Sequence, residues 1–293
     1  MKIATNKLGD LYKFWQTELG NLYDEDELLA VFELTSEHYL GYNKADVKTN
    51  WNSNLNQSEL LKIYDTAKAL KLGTPIQYIL GEAFFYDLKL KVTSATLIPR
   101  PETEELVDLI IKQNKTSLNQ DLSILDLGTG SGCIPVTLKK HLPAAYVKGI
   151  DVSDDALKIA TYNAHKNGVE LEFQKMNILE TTQLSNLNQQ FSIIISNPPY
   201  VLKSEAAQMT EQVLNHEPHI ALFVDDNDPI IFYKKIIDLC KINLAPLGFL
   251  YFELNPIHAA DVEAYALDSD LFKTIELIKD MSGKLRFLKA QKL

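Results

Sequence analysis

"SILDLGTGSGCIPVTL", Ser123–Leu138, reads as a strand, a glycine loop and a helix in one continuous run. In open α/β sheets, ligands sit outside the carboxyl ends of the strands, where such a loop lies. Gly128, Gly130 and Gly132 remove side chains where a ligand must approach the backbone. Free N–H groups at the start of the following helix can meet a carboxylate or a phosphate. A dinucleotide fingerprint, G-x-G-x-x-G, would put its third glycine at position 133, which is Cys133. The pattern here is G-x-G-x-G, completed by Thr129 and Ser131 and preceded by Asp126. The next strand, in "VKGIDVS", ends on Asp151. A carboxylate there can accept both ribose hydroxyls of a nucleoside.

Outward from the loop, strands and helices alternate. Ser123–Leu127, Tyr146–Asp151, Leu171–Gln174, Phe191–Ser196 and Gly248–Glu253 read as strands, and Ser131–His141, Asp154–Asn167, Asp228–Ile242 and Pro256–Leu267 as helices. The alternation predicts a mostly parallel sheet with helices on both faces. Two β-rich runs around Ser282-Gly283 predict an antiparallel strand at the C-terminal edge. "IPRPETEELVDLIIKQ" starts a helix, with Pro101 in its first turn and Glu102, Glu104 and Glu105 complementing the dipole. Upstream, residues 1–73 read as helices only, with one capped by Ser58 and another stopping at Gly41. "PIQYILG" and "FFYDLKLKV" predict a β-hairpin linker over 74–98, which leaves 99–293 as the α/β domain.

Composition narrows the functional classes. The chain has 293 residues, 46% hydrophobic and 23% charged, as expected of a globular protein with a sizeable core. With 29 basic and 39 acidic residues the formal charge is −10, which argues against a broad nucleic-acid footprint. Cys133 and Cys240 form no CxxC pair, so neither a zinc knuckle nor a disulfide framework is expected. "MKIATNKLGDLY" has no apolar signal region, and no run approaches the ~18 residues of a membrane span. A cytoplasmic monomer without metal is expected.

"FSIIISNPPYV", Phe191–Val201, carries the chemistry. A core strand exits into Asn197, Pro198, Pro199 and Tyr200, on the same sheet edge as Gly128 and Asp151. A planar carboxamide or exocyclic amine is a poor nucleophile because its lone pair is delocalised. Two acceptors that hold both N–H hydrogens position that nitrogen and raise its electron density. The Asn197 side-chain oxygen is one such acceptor, and a carbonyl of the Pro198-Pro199 segment is the other. Each proline fixes φ and lacks an N–H, which makes a stiff row of carbonyls. The Tyr200 ring is expected to stack on the planar acceptor.

These motifs carry a family resemblance. The G-x-G-x-G loop resembles the first motif of the S-adenosylmethionine-dependent methyltransferases, and "NPPY" resembles the motif of those acting on planar amino groups. "GTPIQYILGEAFFYDLKLKVTSATLIPRPETEELV", Gly73–Val107, is similar to the linker and entry motif of the glutamine methyltransferases that modify peptide chain release factors. "HEPHIALFV", His216–Val224, is similar to that family's E-P-x-x-A-L segment.

The resemblance implies a Rossmann-like methyltransferase domain with a small N-terminal helical substrate-recognition domain. It implies methyl transfer to the glutamine amide of the Gly-Gly-Gln loop in class-I peptide chain release factors, with S-adenosyl-L-homocysteine as product and no metal. Gly128, Thr129, Gly130, Ser131, Gly132 and Asp151 then bind the cofactor, together with Ile178 at the adenine and Asn197 near the methyl donor. Asn197 to Tyr200 bind the glutamine. Asn177 replaces a common Asp, and Asn255 stands where the family usually has Gly, so a differently shaped loop is expected there. Pro218 between His216 and His219 argues against a metal-binding helix face. Two other readings use the same residues. A nucleic-acid aminomethyltransferase would present a flipped base to Asn-Pro-Pro-Tyr, and a non-catalytic nucleoside-binding adaptor would use only the loop and Asp151.

Overall fold

The computed structural model describes residues 5–115, 122–180 and 189–293. Residues 1–4, 116–121 and 181–188, which belong to the two domains expected from sequence, lie outside the described residues. The chain divides into two compact units, Met1–Gly81 with Glu211–His216, and Glu82–Thr210 with Glu217–Leu293.

The first unit is helical, built from α1 (Leu8–Leu19), α2 (Glu25–Leu40), α3 (Lys44–Thr49), α4 (Gln57–Lys71) and α5 (Ile76–Leu80), with Glu211–His216 as α9 in chain order. The stripe Leu8, Leu11, Trp15, Leu19 recurs at helical spacing and meets Leu28, Phe32, Ile63 and Leu70 in one core. Asp24 caps α2 by accepting the Glu27 N–H at 2.8 Å, and Gly41 ends it at φ 70°.

Two local expectations change. The cap of α4 is Asn56 and not Ser58, because Asn56 and Glu59 satisfy each other's backbone N–H in a capping box. "PIQYIL" is one helical turn and not the first hairpin strand. Its apolar residues Ile76 and Leu80 are four apart and both buried in the helical core, and Gly81 ends the turn at φ 70°.

The second unit opens with a separate hairpin, β1 (Glu82–Phe85) against β2 (Leu88–Lys91). α6 (Pro101–Asn114) follows, and then β3 (Ser123–Leu127), α7 (Cys133–His141), β4 (Tyr146–Asp151), α8 (Asp154–Lys166), β5 (Glu172–Lys175) and β6 (Phe191–Ser196). β7 (Val201–Leu202) pairs in parallel with β8 (Phe223–Val224), which follows the single turn α10 (His219–Leu222). α11 (Ile231–Asn243), β9 (Leu244–Glu253), α12 (Ala259–Asp268), β10 (Phe272–Lys279) and β11 (Leu285–Lys292) complete the unit.

The main sheet has seven strands in the order β10-β11-β9-β6-β3-β4-β5. β9, β6, β3, β4 and β5 are parallel, and β11 and β10 add the antiparallel edge. From β3 the chain builds outward through β4 and β5, then returns to the other side of β3 as β6. That reversal is where an open α/β sheet binds its ligand. Both faces of the sheet are covered, which is why Ile193, Ile194 and Ile195 run without a polar break. Ile194 packs with Leu125, Ile237 and Phe252 on one face, and Ile193 and Ile195 pack with Ile124, Leu106 and Val136 on the other. Among the described residues no helix is long and apolar enough to cross a membrane.

Candidate active site

The glycine loop leaves β3 through three left-handed glycines, Gly128 at φ 80°, Gly130 at 55° and Gly132 at 80°. At Gly132 space is also required, since a Cβ would lie 3.0 Å from the Ala160 Cβ of α8. The N–H groups of Gly128 and Thr129 both donate to the Ile150 carbonyl, at 2.9 and 3.0 Å, which ties the loop to the end of β4. Asp151 fixes it further. Its Oδ2 accepts the Gly130 N–H at 2.8 Å, and its Oδ1 accepts the Ser153 N–H at 2.9 Å. Each oxygen keeps a second lone pair for a ligand hydroxyl.

Asn163, fully buried on α8, completes the frame: its Nδ2 donates to the Ser131 carbonyl at 2.8 Å and to the Lys91 carbonyl at 2.9 Å. Nothing in the sequence marked Asn163, because its partners lie in the loop and the hairpin.

A cavity opens beside this frame. Gly128, Gly130, Asp151, Ile178, Asn197, Pro198 and Pro199 line it, with Met176, Phe232 and Ile220-Ala221 supplying apolar wall and Ala95 to Leu97 closing one side. Ile178 is buried, and its neighbour Asn177 turns its Oδ1 onto the Leu179 N–H at 3.1 Å. Four of the residues singled out from sequence are not part of the wall. Thr129 is buried and donates its hydroxyl to Asp126, Ser131 offers its carbonyl to Asn163, and Gly132 packs on α8. Tyr200 was expected as a stacking platform. Its ring packs on the core below the sheet edge, and its hydroxyl donates to Glu253 Oε1 at 3.1 Å, so its contacts are those of an anchor.

Glu253 is a buried acid at the end of β9, only 1% exposed. Its Oε2 accepts the Thr103 hydroxyl at 2.6 Å, and the Thr103 oxygen in turn accepts from Asn197 Nδ2 at 3.1 Å. Burial raises the Glu253 carboxyl above the ordinary range, while the Thr103 and Tyr200 hydroxyls and the nearby Arg286 oppose that rise. Asn197 and Tyr200 are thus held through a common acid, contributed by β9, which is distant in sequence and adjacent to β6 in the sheet. Sequence reading missed both Thr103 and Glu253.

Asn255 departs from the resemblance and has a defined use. Its Nδ2 donates to the Tyr200 carbonyl at 3.1 Å, and its Oδ1 accepts the Ile257 N–H at 3.1 Å. A glycine could make neither bond, so this asparagine steadies the exit of the Asn-Pro-Pro-Tyr loop. Arg100 of the "IPRPETE" stretch pairs with buried Glu217 at 2.6 Å, and the Ile98 N–H donates to the same carboxylate at 3.3 Å. This places Ile220 and Ala221 at the cavity wall. The His219 ring meets Phe223 edge-on at 5.3 Å.

Residues 106–222 match the Methyltransferase small domain family, and residues 10–81 match the PrmC N-terminal domain. A release factor glutamine methyltransferase of Flavobacterium psychrophilum is 45% identical over 92% of this chain and 94% of its own. The chain belongs to the release factor glutamine methyltransferases. A second member, from Bacteroides thetaiotaomicron, is 36% identical over 94% of this chain and 96% of its own, and one from Streptococcus pneumoniae is 35% identical over 96% and 97%. As a member of that family, the chain is an S-adenosylmethionine-dependent methyltransferase of Rossmann-like fold.

Proposed function

We propose that this protein transfers a methyl group from S-adenosylmethionine to the side-chain amide nitrogen of the glutamine in the Gly-Gly-Gln motif of class-I peptide chain release factors. The observation that carries the reading is the meeting, in one cavity, of the glycine loop, Asp151 and Asn197 in a chain of this family. When bound, S-adenosylmethionine supplies an electrophilic methyl group on a sulfonium. Gly128 and Gly130 take its methionine end, Asp151 its ribose and Ile178 its adenine. Asn197 Oδ1 and a carbonyl of Pro198-Pro199 each accept one hydrogen of the glutamine –NH₂. Those two bonds hold the nitrogen in place and raise its electron density as it attacks. Once methylated, the nitrogen is acidic enough to release a proton to solvent, so no strong base is required.

The methyl group arrives already activated, so the reaction requires no metal; we also take the protein to act as a cytoplasmic monomer. We assign recognition of the release factor to the helical unit, which carries no residue of this chemistry. A flipped nucleic-acid base would need a basic recognition surface, and the charge of −10 disfavours one.

The test is transfer of labelled methyl to an intact release factor, to the same factor with its Gly-Gly-Gln glutamine replaced by alanine, and to DNA and RNA. Label is expected only in the parental factor. Label in nucleic acid and none in the factor would overturn the reading. A chain lacking residues 1–81 should bind cofactor and transfer poorly to the intact factor; full transfer by it would remove the recognition role of the helical unit.

Asp151→Ala should weaken S-adenosylmethionine binding by about 1.5–3 kcal/mol, the scale of hydrogen bonds to a charged group. The sheet should survive, because the carboxylate sits at a strand end with only backbone N–H partners. Calorimetry decides: unchanged binding heat and affinity would take the ribose away from Asp151.

A further inference from the structure

We propose that Thr103 is a positioning residue for methyl transfer, its hydroxyl fixing which end of the Asn197 amide faces the substrate. The proposal rests on the reading of Asn197 given above and deepens it. An asparagine amide is nearly symmetric in shape, and a half-turn exchanges its oxygen for its –NH₂. For holding an N–H of the substrate the two orientations are opposite in effect. With the oxygen forward the amide accepts, and with the nitrogen forward it presents two more donors to a group that already has two. Something must select between them.

The side-chain chain Asn197–Thr103–Glu253 makes the selection. Thr103 sits in the first turn of α6, 2% exposed. Its hydroxyl has one hydrogen, and that hydrogen is committed to Glu253 Oε2 at 2.6 Å. The remaining lone pairs of the Thr103 oxygen can only accept, so the group 3.1 Å away must be the Asn197 –NH₂. Asn197 Oδ1 is thereby turned the other way. Glu253 is held in turn at its other oxygen by the Tyr200 hydroxyl at 3.1 Å, and the Tyr233 hydroxyl donates to the Glu253 backbone carbonyl at 3.0 Å. The acid cannot swing away from Thr103 without breaking the Tyr200 bond, and the Tyr233 bond steadies the backbone that carries it. A mismatch between Asn197 and Thr103 would leave buried polar groups unpaired, which is costly in a site of this kind. Thr103 belongs to the "IPRPETE" stretch and Glu253 to the end of β9, so the orientation of a residue at the exit of β6 is set from two other elements.

The experiment is a double-mutant cycle in the full chain, read by single-turnover transfer to release factor at saturating cofactor. Thr103→Val keeps the shape and removes the hydroxyl. It should slow transfer by about tenfold to a hundredfold, the range of one or two lost hydrogen bonds at a buried site. The loss should appear in the maximal rate and not in the half-saturating release-factor concentration. Affinity for S-adenosylmethionine should stay within about twofold, since none of the groups proposed to hold the cofactor is altered. Thr103→Ser, which keeps the hydroxyl, should recover most of the rate. Introduced into Asn197→Ala, Thr103→Val should cause no further loss, because the group it orients is gone.

Parental transfer by Thr103→Val, or an equal loss with and without Asn197, would overturn the proposal and leave Thr103 as a packing residue. Parental transfer by Asn197→Ala alone would overturn the reading of Asn197 itself. If Thr103→Val does not fold, Thr103→Cys, a weaker donor of like size, takes its place in the same cycle with the same expected non-additivity.

Discussion

Asn197→Ala should slow methyl transfer by about 100- to 1000-fold in single turnovers with saturating cofactor, while affinity for S-adenosylmethionine changes far less. The magnitude follows from removing one positioned hydrogen-bond partner of a reacting group, about 2.7–4 kcal/mol where such partners have been deleted at oxyanion sites. The effect falls on the rate because the bond strengthens along the reaction. As the glutamine nitrogen attacks, its hydrogens become more acidic, and the acceptor gains more in the transition state than in the ground state. Asn197→Asp separates shape from charge. It keeps an acceptor, but it replaces the donor that Thr103 needs and puts a second carboxylate beside the already buried Glu253. Two carboxylates would then compete for one hydroxyl hydrogen, so Asn197→Asp should recover little of the rate. Transfer by Asn197→Ala at the parental rate would reduce Asn197 to a strand-end cap.

What could be read from the sequence was whatever announces itself within a few residues. Gly128, Gly130 and Gly132 need left-handed backbone, Asp151 ends a strand, and Asn-Pro-Pro-Tyr interrupts a row of isoleucines. Those signals place the loop, Asp151 and Asn197 on one sheet edge before any coordinates exist. Glu253 is silent in the sequence because its partner Thr103 is 150 positions away and the two meet only through the sheet order. The partner of Tyr200 is hidden for a related reason. An aromatic at a substrate loop suggests a platform, but a buried acid behind it draws the hydroxyl inward. "PIQYIL" misled because the β-formers Ile76, Tyr78 and Ile79 outweigh a single turn in propensity, while Ile76 and Leu80 fit a helical core that only tertiary packing reveals. β9 starts four residues earlier than the Gly248 expected, at Leu244, because a register shift in its pairing with β6 carries the ladder past Pro246 and Leu247.

Asp126 should make the protein lose stability as pH rises, and Asp126→Asn should remove that loss. The carboxyl sits fully buried at the end of β3, accepts the Thr129 hydroxyl at Oδ2, and has no partner at Oδ1 among the described residues. Burial pushes it up to about 7 against the stabilising Thr129 bond, with the charge of Asp151 adding to the rise. In the unfolded chain the same carboxyl titrates near the ordinary ~3.9. Between those values the folded state binds more protons than the unfolded state, so stability falls as pH climbs from about 4 to about 7 and levels off above that. From pH 5 to pH 8 the parental protein should lose on the order of 2–3 kcal/mol more than Asp126→Asn, measured by denaturant unfolding at each pH. Asparagine keeps an oxygen for Thr129 and cannot ionise, so whatever it costs by leaving an amide unpaired is the same at both pH values. Parallel unfolding profiles for the two proteins would show that Asp126 is not a buried acid that holds its proton near neutrality.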